Sequence, residues 1–171
     1  KPYSKGRLSY LLDLSGRTDY DYDRLGRQIK VTRTIDGVSY PLERAYNALD
    51  QVTSLKYPDG EVVNYAYNKA NAIEKISGAS TYVNNLDYTA SGQMLKINHG
   101  NGSFSEYTYD PATLRLTDLS AKTNNGVLQD LRYGYDSAGN IKDITDYRSS
   151  ATQSFLYDDL NRLIRANGSY G

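Results

Sequence analysis

The sequence predicts an all-β protein of tandem, stacked β-hairpins. Three observations predict it: an excess of tyrosine, a motif returning at steps of 21–26 residues, and turn-forming residues at fixed offsets within each return. The 171 residues include 18 Tyr but only 2 Phe, with no Trp, no Cys and a single Met. Tyr, Thr, Val and Ile favour strands, whereas helical proteins lean on Ala, Leu and Glu.

The stretch DYDYDRLGRQIKV at 19–31 sets the problem. Alternating Asp and Tyr fits a metal site, a row of catalytic acids or the edge of a sheet. Its imperfect copies decide between them. Taking Tyr22 as an anchor, equivalents follow at Tyr46, Tyr67, Tyr88, Tyr109, Tyr135 and Tyr157, at steps of 24, 21, 21, 21, 26 and 22 residues. The array therefore spans 1–171 with about seven repeats.

Other columns recur with the anchors. Two residues before them stand Tyr20, Arg44, Tyr65, Leu86, Tyr107, Tyr133 and Phe155, which share the anchor's face if the segment is a strand. One residue after stand Asp23, Asn47, Asn68, Thr89, Asp110, Asp136 and Asp158. A metal or acid–base role would need the carboxylate. Asn and Thr give up the charge and keep a short acceptor, which is what the first position of a type I turn uses to bond the backbone ahead. Four residues after the anchor stand Gly26, Asp50, Asn71, Gly92, Gly139 and Asn161, the residue types that most readily take positive φ. This is a hairpin whose type I turn closes on a left-handed residue. The copy YDPATLRL carries one extra residue and puts Leu114 where Gly is expected, so strain or a different loop is expected there.

Apolar residues return six and nine positions after the anchor: Val52/Leu55, Ile73/Ile76, Met94/Ile97, Ile141/Ile144 and, with the extra residue, Leu116/Leu119. Gln28/Val31 and Leu163/Ala166 are weaker copies. A separation of three is not strand alternation, which leaves a β-bulge or a strand half-buried on both faces. A second, looser turn follows at Asp36-Gly37, Asp59-Gly60, Gly78, Asn101-Gly102, Asn125-Gly126 and Asn167-Gly168. Residues 1–17 read as the tail of an earlier copy, and both ends as cuts in mid-array.

The bulk properties exclude several classes. Twenty acids balance twenty bases, so no global field draws the chain to nucleic acid or anionic lipid. Without Cys there is no disulfide frame or thiolate metal site, no apolar run reaches the ~18 residues of a membrane span, and no signal peptide is visible. The length is compatible with a sizeable core. A lone hairpin is marginal, so each copy must cover its neighbour. Like strands of successive copies would lie about 10 Å apart, with the intervening strand filling columns in which largely buried Tyr alternates with Ile, Leu or Val. A phenol suits a thinly covered sheet, because its hydroxyl keeps a partner while the ring is covered.

The pattern Tyr-x-Tyr-Asp-x-x-Gly-Arg resembles the YD repeat of the RHS family, which includes bacterial RHS proteins, shell components of insecticidal Tc toxin complexes and animal teneurins. YDYDRLGR, YTYDPATLRL, LRYGYDSAGNIKDITD and FLYDDLNRLIRANGSYG carry the resemblance, over about residues 6–171. It implies a spiralling, curved antiparallel sheet, an open segment of an RHS-type shell that in full-length members surrounds a toxic C-terminal domain. The family's self-cleavage segment and toxin are not visible in this sequence, so neither activity is carried over.

The candidate sites read as structural. The triplet Asp19, Asp21 and Asp23 is not repeated in any other copy, and an oxygen cage for Ca²⁺ needs about 6–8 ligands. His99, the one histidine, has no second His or Cys to share a metal. Asn101 and Asn167 open NGS sequons that also read as hairpin turns. Exposed tyrosines could stack on sugar rings, but their recurrence argues for packing. The expected protein is thus non-catalytic, without cofactor or metal: a structural segment of a secreted or surface bacterial protein that encloses or carries a toxin polypeptide. Its partners would be flanking repeats and that cargo, and its open strand edges invite self-association. The rival is a carbohydrate- or cell-surface-binding adhesion module.

Overall fold

A computed structural model describes residues 1–168. The fold is all-β, with no helix among the described residues. Fifteen strands occur: β1 (Tyr10–Asp13), β2 (Gly16–Tyr22), β3 (Gln28–Ile35), β4 (Val38–Tyr46), β5 (Val52–Lys56), β6 (Val62–Tyr67), β7 (Ile73–Ser77), β8 (Thr81–Tyr88), β9 (Met94–His99), β10 (Phe104–Tyr109), β11 (Leu116–Thr123), β12 (Gly126–Tyr135), β13 (Ile141–Asp146), β14 (Ala151–Tyr157) and β15 (Leu163–Asn167). They lie in linear sequence order, as consecutive hairpins dictate.

The chain divides into two compact units, Lys1–Tyr82 and Val83–Gly171. In the first, β1 to β7 pair antiparallel, each with its sequence neighbour. In the second, β8 to β15 pair in the same way. Burial alternates along β6, β8 and β14. In β6, Val63 is buried and Tyr65 and Tyr67 are half-buried, while Val62, Asn64 and Ala66 are exposed.

The looser turns vary. Asp36 and Gly37, with φ of 49° and 80°, form a two-residue connection of the primed type that matches strand twist. The turns at Tyr57–Glu61 and His99–Ser103 instead repeat the three-residue form. The turn over 147–150 contains no glycine, and Ser150 supplies the positive φ of 55°. It escapes a search for Gly-based turn signals.

The sizeable core expected from length is absent. Val63 and Leu86 are the only buried apolar residues among those described, and no side chain is less than 2% exposed. The anchor tyrosines are largely covered, but none reaches full burial. The length argument presumes layers packed on one another. Here each strand is covered chiefly by the side chains of the strands beside it, so burial is shared thinly along every repeat. Stability must then draw on cross-strand pairs and hydrogen bonds more than on a central core.

Candidate functional site

The recurring corner is the most organised feature of the molecule. At the first, the Gly26 amide donates to the Asp23 carbonyl and the Asp23 amide to the Arg27 carbonyl, each at 3.0 Å. Asp23 Oδ1 accepts from the Leu25 and Arg27 amides at 2.9 Å. The same cradle forms at Asn47 (from Leu49 and Gln51), Asn68 (from Ala70 and Ala72), Asp136 (from Gly139 and Asn140) and Asp158 (from Leu160 and Arg162). Thr89 does it with Oγ1, which accepts from the Gln93 amide. The left-handed residue has φ of 84° at Gly26, 60° at Asp50, 63° at Asn71, 83° at Gly92, 94° at Gly139 and 58° at Asn161. The fifth corner is wider: the Leu114 amide reaches back four residues to the Asp110 carbonyl, and Leu114 itself takes φ of 57°.

Where the corner carries Asp, ionisation strengthens it. Burial opposes the charge on Asp23, but the amide and guanidinium of Arg27 outweigh that and hold its carboxyl below the usual range. Thr113, through its amide and hydroxyl, does the same for Asp110. Asn140 lowers Asp136 through its side-chain amide, and Arg162 lowers Asp158 through its guanidinium.

Every repeat carries a β-bulge just past the corner. Tyr22 pairs with Gln28 and Asp21 with Lys30, so Ile29 is left without an opposite number. The same shift precedes Tyr46, Tyr67, Tyr88, Tyr109, Tyr135 and Tyr157. The extra residue restores parity, so positions six and nine after the anchor fall on one face. Tyr67 then faces Ile73 and Tyr65 faces Ile76, and likewise Tyr135 faces Ile141 and Tyr133 faces Ile144. Of the two explanations for the separation of three, the bulge is the one found.

The bulge also frees a carbonyl. Backbone pairing to the following strand stops short of it: β3–β4 ends at Lys30↔Glu43, β5–β6 at Ser54↔Asn64 and β13–β14 at Asp143↔Ser154. The next anchor hydroxyl takes that carbonyl. Tyr22 donates to Leu8, Tyr46 to Gln28, Tyr67 to Val52, Tyr109 to Met94, Tyr135 to Leu116 and Tyr157 to Ile141, at 2.7–3.0 Å. Phenylalanine would leave a partly buried acceptor unpaired, which explains why tyrosine fills the column.

One column escaped the sequence reading, although its Gly-Arg form was visible. In several copies the residue five after the anchor bridges its own corner to the next one, six after in the copy with the extra residue; Ala72 is too short to do so. Arg27 Nε holds Asp23 at 2.7 Å while its Nη1 reaches the Asn47 carbonyl at 3.0 Å and Asp50 Oδ1 at 2.8 Å, with the guanidinium over the Tyr46 ring. Gln51 reaches the Asn71 carbonyl, Gln93 the Leu114 carbonyl and Asn140 the Asn161 side chain. Arg7 and Arg115 lie over the Tyr22 and Tyr135 rings. The signal was muted because Arg, Gln and Asn share no single chemistry and their partners lie 20–23 residues on.

Tyr20, Tyr107 and Tyr133 hold the same-face position before the anchor. Asp19 pairs with Arg17 and Lys1, Asp21 with Lys1, and Asp23 belongs to the corner, so the acidic triplet does not converge on one point. Among the described residues no group of three or more His, Cys, Asp or Glu could hold a metal. His99 Nε2 lies 3.5 Å from Ser105 Oγ on β10, at the outer limit of a hydrogen bond. The Asn101 sequon is a turn in which Asn101 Oδ1 accepts from the Ser103 amide and hydroxyl. Ser169 of the second sequon lies outside the described residues. A shallow cleft of about 320 Å³ opens beside Pro41, Glu43, Lys56, Tyr57 and Asp59.

No family model matches the chain. It is 37% identical over 103 residues to toxin subunit YenC1 of Yersinia entomophaga, covering 50% of this chain and 10% of that protein. It is 31% identical over 110 residues to double-stranded DNA deaminase toxin A of Burkholderia cenocepacia, covering 59% of this chain and 8% of that one. The chain thus spans about a tenth of the length of the curated relatives it matches. In fold it is similar to a chain of the TcdB2-TccC3 crystal structure, with a TM-score of 0.86 and 22% identity over 98% of this chain and 10% of that one. Seven recurring corners, the all-β hairpin order and the likeness to a toxin subunit accord with the resemblance to the RHS, or YD-repeat, family.

Proposed function

We propose that this chain is a non-catalytic structural segment of a larger, secreted RHS-type protein, a single array of about seven repeats forming part of a sheet wall that encloses or carries a C-terminal toxin polypeptide. One observation carries the reading. The recurring polar groups join one hairpin to the next, through tyrosine hydroxyls on bulge carbonyls and corner-to-corner side chains. A wall needs such joints; an enzyme needs converging groups around a reacting atom. The likeness to a toxin subunit supports the toxin context and export from the cell. Flanking repeats and the enclosed polypeptide are its partners in this reading.

The test uses the parent protein at full length under limited proteolysis, following the polypeptide encoded after the array by mass spectrometry. It should survive inside the parent and be cut when expressed alone. Equal digestion rates in the two settings would remove the enclosing role.

The adhesion reading keeps one specific support. Tyr57 is 38% exposed beside the cleft with Glu43, Lys56 and Asp59, an aromatic face among polar groups. A glycan array separates the two: saturable binding to one sugar, abolished by Tyr57→Ala, would favour adhesion.

A further inference from the structure

Six of the seven junctions from Arg7 to Asn161 sort into two kinds; the seventh, Ala72 followed by Gly92, has no polar bridging side chain. Where the bridging residue is Arg, the next left-handed corner is Gly or Asp: Arg7 with Gly26, Arg27 with Asp50, Arg115 with Gly139. Where it is an amide, the next corner has a larger uncharged side chain: Gln51 with Asn71, Gln93 with Leu114, Asn140 with Asn161. The geometry gives the reason. A side chain at Gly26 or Gly139 would displace the guanidinium of Arg7 or Arg115, the flexible end of a long side chain, from its place over the tyrosine ring. Asp50 has a Cβ but accepts the Arg27 guanidinium at 2.8 Å instead of colliding with it. The shorter amides stop at the corner and donate to its carbonyl or side-chain oxygen, at 2.7–3.0 Å, leaving room for the corner side chain.

We infer that the bridging residue of one repeat and the left-handed corner of the next form a matched pair that determines which hairpin can adjoin which. Guanidinium selects a corner that is empty or acidic, and an amide selects a corner with a neutral side chain. The inference goes beyond the wall reading, since it holds whether or not a cargo is enclosed. Consecutive connection fixes the order of hairpins within one chain, but backbone pairing alone does not tell a fitting neighbour from a misregistered or foreign one. The matched pair supplies that distinction.

A double-variant cycle at one junction tests it. Gly139→Asn places a side chain against Arg115, Arg115→Gln removes the guanidinium, and the two together rebuild the Gln51–Asn71 pair. The backbone strain of Asn at positive φ is common to the single and the double variant and cancels in the cycle. The double variant should melt about 2–4 °C above the value expected from adding the two single shifts. Additivity of the shifts would overturn the inference. If Gly139→Asn does not fold alone, recovery of a cooperative transition in the double variant supports the pair, and continued failure to fold counts against it. A second cycle, Arg27→Gln with Asp50→Asn, introduces no overlap, should show coupling of the same sign, and refutes the matched pair if additive.

Discussion

At the scale of single residues, the corner resolves what alternating Asp and Tyr mean. A carboxylate that could have been catalytic accepts backbone amides, and Asn or Thr serves the same purpose elsewhere. What the corner cannot give up is its left-handed conformation, taken by Gly, Asp, Asn and, in one copy, Leu. Gly26 has φ of 84°, which a β-branched side chain resists, and its missing Cβ is where the Arg7 guanidinium lies. Gly26→Val therefore meets two obstacles. Gly92, at φ of 83°, has open space where its Cβ would be, so Gly92→Val meets only the backbone one. Gly26→Val is expected to lower the melting temperature more than Gly92→Val does. Equal losses would show that the Arg7 contact contributes nothing; no loss at either site would contradict the left-handed corner.

At the scale of the hairpin, bulge and tyrosine form one device. The bulge realigns the two aliphatic positions and exposes a carbonyl, and the hydroxyl of the following repeat closes it. Tyr67→Phe keeps the ring and deletes the bond to Val52. It should cost about 1 kcal/mol, read as a fall of about 2–4 °C in thermal melting; an unchanged transition would mean that water replaces the hydroxyl at no cost. The corner aspartates add a pH dependence. Their folded-state carboxyls titrate below the ordinary value of 3.8. The stability they confer is therefore complete above the unfolded value of about 3.9 and is lost as pH falls through the lowered folded values. Melting temperature should drop as pH falls below about 4, and less steeply in a variant with Asn at Asp23, Asp136 and Asp158. An identical acid profile would place the sensitivity elsewhere, for instance at Asp19, held down to about 2 by Arg17. Much of this hairpin was legible in the sequence. Asp, Asn and Gly at fixed offsets have few other uses, so the corner could be read from residue chemistry alone. The separation of three at Ile73/Ile76 or Ile141/Ile144 narrowed the strand to two options, and only the register chose the bulge. The bond from Tyr67 to Val52 was not legible, since it joins residues 15 apart whose meeting depends on that bulge.

At the scale of the whole molecule, the array explains why length misjudged the core. Hairpins added in series enlarge both faces together and bury no interior, so Val63 and Leu86 remain isolated cases of deep burial among the described residues. The same architecture concentrates risk at the terminal strands. β1 pairs with β2 and β15 with β14, and neither has a second strand partner among the described residues. Both carry exposed aliphatics, with Leu12 at 63% and Ile164 at 64%. Backbone amides and carbonyls along an apolar edge recruit further strands unless charge, proline or a cover intervenes. Asp13 and Arg165 are the charges on these two strands, and Arg165 already bonds Asn167 next to it. In isolation the chain should therefore associate edge to edge, with a sedimentation coefficient that rises with concentration. Lysine at both positions, Leu12→Lys with Ile164→Lys, puts charge on each edge without touching a corner, a bulge carbonyl or a bridging residue, and should return the chain towards a monomer. Association that persists unchanged in that variant would place the contact on a face of the sheet rather than on its edges.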